Sequence, residues 1–207
     1  MITSSITLCG LLLATALTLP ASAQDLSTIE WQTNYDDPPI GDPAALKGGT
    51  FHTFMTAYPL TLRLVGPNSN DGFSAWKRAV TMDFGLVARH PTTDNYVPWM
   101  ATHWSVQDDK RTLYFKLDPD ARWSDGKPVT AADYVHTLHM MQSDAIVDPF
   151  YNNYAEEHYE DVVAIEPYVL KIVGKFESWR PLDMFGLWAT PAHAVTLGEG
   201  FPKRYNT

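Results

Sequence analysis

A mixed α/β fold is what this sequence predicts, and three observations carry it. In the run from Thr112 to Leu117, the apolar residues Leu113, Phe115 and Leu117 alternate with Tyr114 and Lys116, the period of a strand with one face on a core. Further on, Ala131, Tyr134, Val135, Leu138 and Met141 recur at helical spacing and share one face. Strand-like and helix-like segments are interleaved with no internal repeat or low-complexity tract, and charge is spread evenly, so no linker divides the mature chain.

Composition narrows the function. With 15 basic against 24 acidic side chains, the formal charge of -9 lacks the clustered cations that phosphate recognition needs, which argues against a nucleic-acid binder. Aromatic residues at 13% supply enough burial to exclude disorder. Residues 1–23 carry no Lys, Arg, Asp or Glu, and residues 8–19 are almost continuously apolar before Pro20 and Ala21-Ser22-Ala23. This is the pattern of a secretory signal peptide cleaved after Ala23, too short for the roughly 20 residues of a membrane span. The n-region cation is missing, and Cys9 lies in no lipid-attachment context. Cleavage removes Cys9, the single cysteine, and with it a thiol nucleophile, a disulfide or a Cys-based zinc site. Direct membrane insertion after cleavage is not expected.

Along the mature chain, residues 24–46 form a polar arm bearing Pro38, Pro39 and Pro43, and Gly48-Gly49 leads into residues 50–55, read as a first β-strand rich in Thr and aromatics. Phe73, Trp76, Ala79 and Val80 then mark a short helix, with Asp71 as its N-cap and Gly85 as its stop. Two extended pieces, 86–88 and 96–97, flank a turn at 91–95. Residues 103–106 and 112–117 make a hairpin with a charged tip. Thr130 and Asp133 have the spacing of a capping box for the next helix. Residues 160–165 and 168–173 form a second hairpin through Glu166-Pro167.

Several motifs invite a functional reading. His136 and His139 stand at i, i+3 on the helix, off its apolar stripe, but no third ligand has diagnostic spacing, so a solvated face is the reading and no metal is expected. Asp118, Asp120 and Asp125 suggest a calcium loop, yet Arg122 and Trp123 occupy positions that a ligand and a glycine would need, leaving a plain turn. Glu156, Glu157, Glu160 and Asp161, with seven Trp, admit a secreted carbohydrate-active enzyme working through paired carboxylates. Such a pair must converge across a cleft, which sequence proximity does not supply. No Gly-x-Ser-x-Gly, Walker A or Gly-x-Gly-x-x-Gly pattern occurs, so no cofactor is expected. An extracytoplasmic interaction module is a third reading; it would show an exposed apolar patch in place of a pocket.

A longer constellation stands out. It runs from Pro98-Trp99-Met100-Ala101-Thr102-His103-Trp104, through Tyr114-Phe115-Lys116-Leu117, to Arg122-Trp123-Ser124-Asp125-Gly126-Lys127-Pro128-Val129-Thr130-Ala131-Ala132-Asp133. This is similar to the signature of the family 5 extracellular solute-binding proteins, the peptide, nickel and oligosaccharide receptors of ABC importers. Lys47-Gly48-Gly49-Thr50-Phe51 resembles the family's opening strand, Gly85-Leu86-Val87 the end of its first helix, and Pro191-Ala192-His193 its return segment. Asp118 departs from the family, which usually has Arg after Phe-x-Leu, and family members continue well past Thr207.

The resemblance implies a periplasmic-binding-protein-like two-lobed fold present only as its N-terminal part. On that division, 47–190 is the solute-binding fold and 191–207 the start of a truncated return segment. It also implies a periplasmic, monomeric receptor that captures a peptide or similar small solute for the permease subunits of an ABC importer, without catalysis. Such a fragment is expected to bind its solute poorly alone. By the same resemblance the loop after the first strand approaches the interlobe cleft, making Thr56, Ala57 and Tyr58 the candidate ligand-binding residues.

Overall fold

The computed structural model describes residues 25–46, 48–55, 58–61, 66–69, 71–81, 85–144 and 146–194. The signal segment expected at residues 1–23 and the chain beyond 194 lie outside these.

A four-stranded antiparallel sheet is the centre of the molecule. Its strands are β3 (Ala101–Val106), β4 (Thr112–Leu117), β5 (Tyr159–Glu166) and β6 (Val169–Gly174), in the order β3-β4-β6-β5. Before it come α1 (Gly72–Thr81), β1 (Val87–Arg89) and β2 (Tyr96–Pro98), the two strands forming a separate antiparallel pair. Between the two hairpins of the sheet stand α2 (Ala131–Gln142) and α3 (Pro149–His158), and α4 (Pro181–Met184) follows β6.

Both expected hairpins form, and they meet through their second strands: Phe115 of β4 lies opposite both Trp104 of β3 and Leu170 of β6. Leu113, Phe115, Leu117, Leu170 and Ile172 point into the core with Tyr134 and Leu138 of α2, Tyr159 of β5 and Phe185 after α4. The strict alternation expected of β4 fails at one place, since Tyr114 is also buried. The Lys171 ammonium lies 5.9 Å from the centre of its ring, so long neighbouring side chains cover the second face of the sheet. Gly174 ends β6 against the Phe185 ring, 2.3 Å from where a Cβ would stand, so only glycine lets the ring seat there.

The first-strand expectation at residues 50–55 is corrected. That segment has no regular structure, and Phe51 and Phe54 are 89% and 86% exposed. A strand is stable only when paired, and among the described residues no strand pairs with it; its Thr and aromatic residues are therefore a preference without a partner. The arm, by contrast, is pinned to the sheet edge. Gln32 exchanges two backbone hydrogen bonds with Trp104, at 2.8 and 3.0 Å, and the Lys116 ammonium lies 4.3 Å over the Trp31 ring.

Candidate functional site

Asp71 caps α1 as the sequence predicts. Its Oδ1 accepts from the Ser74 amide at 2.9 Å, and its Oδ2 accepts from the Leu60 amide at 3.3 Å, tying the segment ahead of the helix to its first turn. These bonds, the Ser74 amide foremost, hold the carboxyl below the ordinary aspartate value. Around this joint Phe54, Met55, Tyr58, Phe73 and Trp76 line a cavity of about 240 Å³. The Phe73 and Trp76 rings stand 6.2 Å apart, inclined by 36°. Of the three expected ligand-binding residues, Thr56 and Ala57 lie outside the described residues, and Tyr58 lines this cavity while 97% exposed. Among the described lining residues the polar side chains are Thr53, Tyr58, Asp71 and Trp76, with Asp71 the one carboxylate and no lysine or histidine, so they offer aromatic contact and no acid–base pair.

Several positions of the signature turn have a structural explanation. Gly126 has φ +85°, the left-handed region, and lets its amide donate to Trp123 O at 2.9 Å while Trp123 N donates to Lys127 O at 2.8 Å. Asp125 Oδ1 accepts from the Lys127 amide at 3.1 Å and Oδ2 meets His193 Nε2 at 2.7 Å. Asp133 is buried and completes the capping box with Thr130, whose amide donates to Oδ2 at 2.8 Å. Its Oδ1 accepts from the Ala192 amide at 2.9 Å. The signature thus latches the segment 190–193 onto the start of α2. Sequence reasoning saw the capping box; the bond to Ala192 spans 59 residues and had no local signal.

The remaining candidates do not assemble. Glu156, Glu157, Glu160 and Asp161 are all exposed, and Glu160 is paired with Arg111. Glu156 lines a cavity of about 630 Å³ beside α2 and α3, but the other three do not. His139 is exposed and His136 half-buried, and among the described residues no group of three metal-ligating side chains forms. No helix among the described residues is long and apolar enough to cross a membrane.

Solved structures share this architecture. The oligopeptide-binding protein OppAIV of Borrelia burgdorferi aligns with 65% of this chain and 30% of its own at TM-score 0.53 and 21% identity. Haemophilus influenzae OppA, solved in complex with RPPGFSPFR, aligns with 66% of this chain and 30% of its own at TM-score 0.51 and 22% identity. At such identities the likeness is one of fold: the mixed α/β fold of periplasmic binding proteins, of which these elements form a part.

Residues 95–199, just over half of the chain, match the bacterial extracellular solute-binding proteins, family 5 Middle, and the chain belongs to that family. A probable ABC transporter-binding protein of Deinococcus radiodurans is 32% identical over 125 residues, covering 58% of this chain and 19% of its own length. The periplasmic oligopeptide-binding protein OppA of Escherichia coli is 32% identical over 110 residues, 52% of this chain and 18% of its own. The chain spans about a fifth of the length of these curated relatives.

Proposed function

We propose that this chain serves as part of an extracytoplasmic receptor of an ABC importer, capturing a peptide or similar small solute for the membrane permease and performing no chemistry. Export to the periplasm with cleavage after Ala23 belongs to the same reading, as do the boundaries 24–46 for the arm and 47–190 for the solute-binding fold. The single observation that carries the reading is the family match over residues 95–199, which falls on the four-stranded sheet and its latched signature turn. The names of the relatives, which include oligopeptide-binding proteins, favour a peptide over a metal complex or a sugar.

We assign the segment Thr56, Ala57 and Tyr58 to one wall of the solute site. Tyr58, Phe54 and Trp76 present ring faces to solvent beside the capped start of α1, and such faces gain most from burial under an extended ligand. Calorimetric titration of the exported protein with RPPGFSPFR and with trialanine tests this. Weak but saturable binding, as befits part of a receptor, that Tyr58→Ala weakens by about tenfold is the expected result, the cost of removing a buried aromatic anchor. Unchanged affinity removes Tyr58 from the site, and no peptide binding by the wild type removes the reading that this chain contributes a solute-contacting wall by itself.

A further inference from the structure

On another part of the molecule, the arm, the β1–β2 pair, the edge of β3 and the segment leading into α4 border an open cleft of about 680 Å³, a size typical of small-molecule sites. Its inner surface is apolar, with Trp104 and Leu182 both buried. The turn that carries Lys110 is fastened to the opposite rim, because the Ser178 amide donates to Lys110 O at 3.2 Å.

Among the described lining residues three are cations, Arg89, Lys110 and Arg180, and none is a carboxylate. Arg89 is committed: its guanidinium holds Asp94 and Asp183 at 2.8 Å each and lies 4.5 Å over the Tyr96 ring. Arg180 reaches Asp183 only at 3.9 Å, and its guanidinium lies 4.5 Å over the ring of Trp179, itself 81% exposed. Lys110 has φ +52°, and its ammonium makes no hydrogen bond or ion pair among the described residues. Of the two aspartates that precede it, Asp109 is bound to Thr112 and Arg111, and Asp108 is exposed. Asp94 and Asp183 serve Arg89, and Asp37 is held by Thr93 and Asn95, which leaves the exposed Lys110 and Arg180 at the rim of the cleft without a close carboxylate partner. Two cations with no close carboxylate beside apolar rings suit an anion that carries an apolar body, since ligand burial there shields the charge pair from water.

We propose that this cavity binds a small organic anion, its carboxylate held by Lys110 and Arg180 and its flat apolar body set against Trp104 and Trp179. This site is separate from the Tyr58 cavity and does not depend on the receptor reading. A free aryl acid and the carboxyl end of a peptide ending in phenylalanine share this chemistry.

Fluorescence and calorimetric titration of the full chain with 3-phenylpropionate, against uncharged 3-phenylpropanol, tests the site. The acid is expected to bind at least tenfold more tightly than the alcohol, because a charge-assisted hydrogen bond is lost in the latter. Lys110→Asn, which tolerates the left-handed backbone, and Arg180→Gln are each expected to weaken the acid about tenfold while leaving the alcohol unchanged. Acetyl-alanyl-phenylalanine binding more tightly than 3-phenylpropionate assigns the carboxylate to a peptide end, and the reverse order to a free acid; both support the site. Equal binding of acid and alcohol by the wild type overturns the proposal. So does unchanged acid affinity in Lys110→Asn, with a wild-type melting temperature as the check on folding.

Discussion

Asp133 joins two parts of the chain that are distant in sequence. One carboxylate oxygen accepts from the Thr130 amide and lies 3.4 Å from the Trp123 indole nitrogen, and the other accepts from the Ala192 amide. Its place three residues after Thr130 made the cap legible, because a capping box is a local device. Nothing local announced Ala192. Since Asp133 is buried, truncation leaves these donors without an acceptor. Asp133→Ala should therefore destabilise by about 2–4 kcal/mol, a lost cap together with buried unsatisfied amides. Urea unfolding measures this, and Asp133→Asn, which keeps one accepting oxygen, should lie between. A loss below about 0.5 kcal/mol would mean that the latch is not made in solution.

At the scale of elements, α1 follows from the sequence because its cap and its apolar spacing agree. Asp71 makes its contribution dependent on pH. The folded carboxyl titrates below the ordinary value of 3.8. Its stabilisation is thus fully present above the unfolded value and is lost as pH falls through the depressed folded one. The expected outcome is a loss of helical circular dichroism on acidification below about pH 4 that is smaller in Asp71→Ala than in the wild type. Identical acid curves for the two proteins would dismiss the cap.

The helix α3 escaped sequence reading although Asp148 and Pro149 are a sound start signal. Asn152 and Asn153 and a short apolar stripe hid it. Within the helix Tyr154 stacks on His158 at 3.9 Å, and a tertiary contact fixes its place: the Tyr154 hydroxyl donates to Met184 O at 2.8 Å. Residues 50–55 erred the other way, with strand-forming residues and no strand beside them.

For the whole molecule, protection should follow pairing. β4 and β6 are flanked on both sides in the sheet, so the amides of Leu113, Phe115, Leu170 and Ile172 are expected to exchange with deuterium most slowly, and those of residues 51–55 at close to free-chain rates. Exchange read by mass spectrometry checks this, and equal protection of 51–55 would restore the strand expected there. The sequence by itself determined the mixed α/β class, both hairpins of the sheet, the caps of α1 and α2 and the signature turn, since each rests on hydrogen bonds and periodicities within a few residues. Only the tertiary structure decided that the hairpins join through β4 and β6, that Ala192 closes on Asp133, that Tyr58 faces a cavity with Phe73 and Trp76, and that Lys110 and Arg180 line another. Those pairings bring together residues tens of positions apart, and the energy that selects them comes from burial and charge in the assembled chain, which no local spacing encodes.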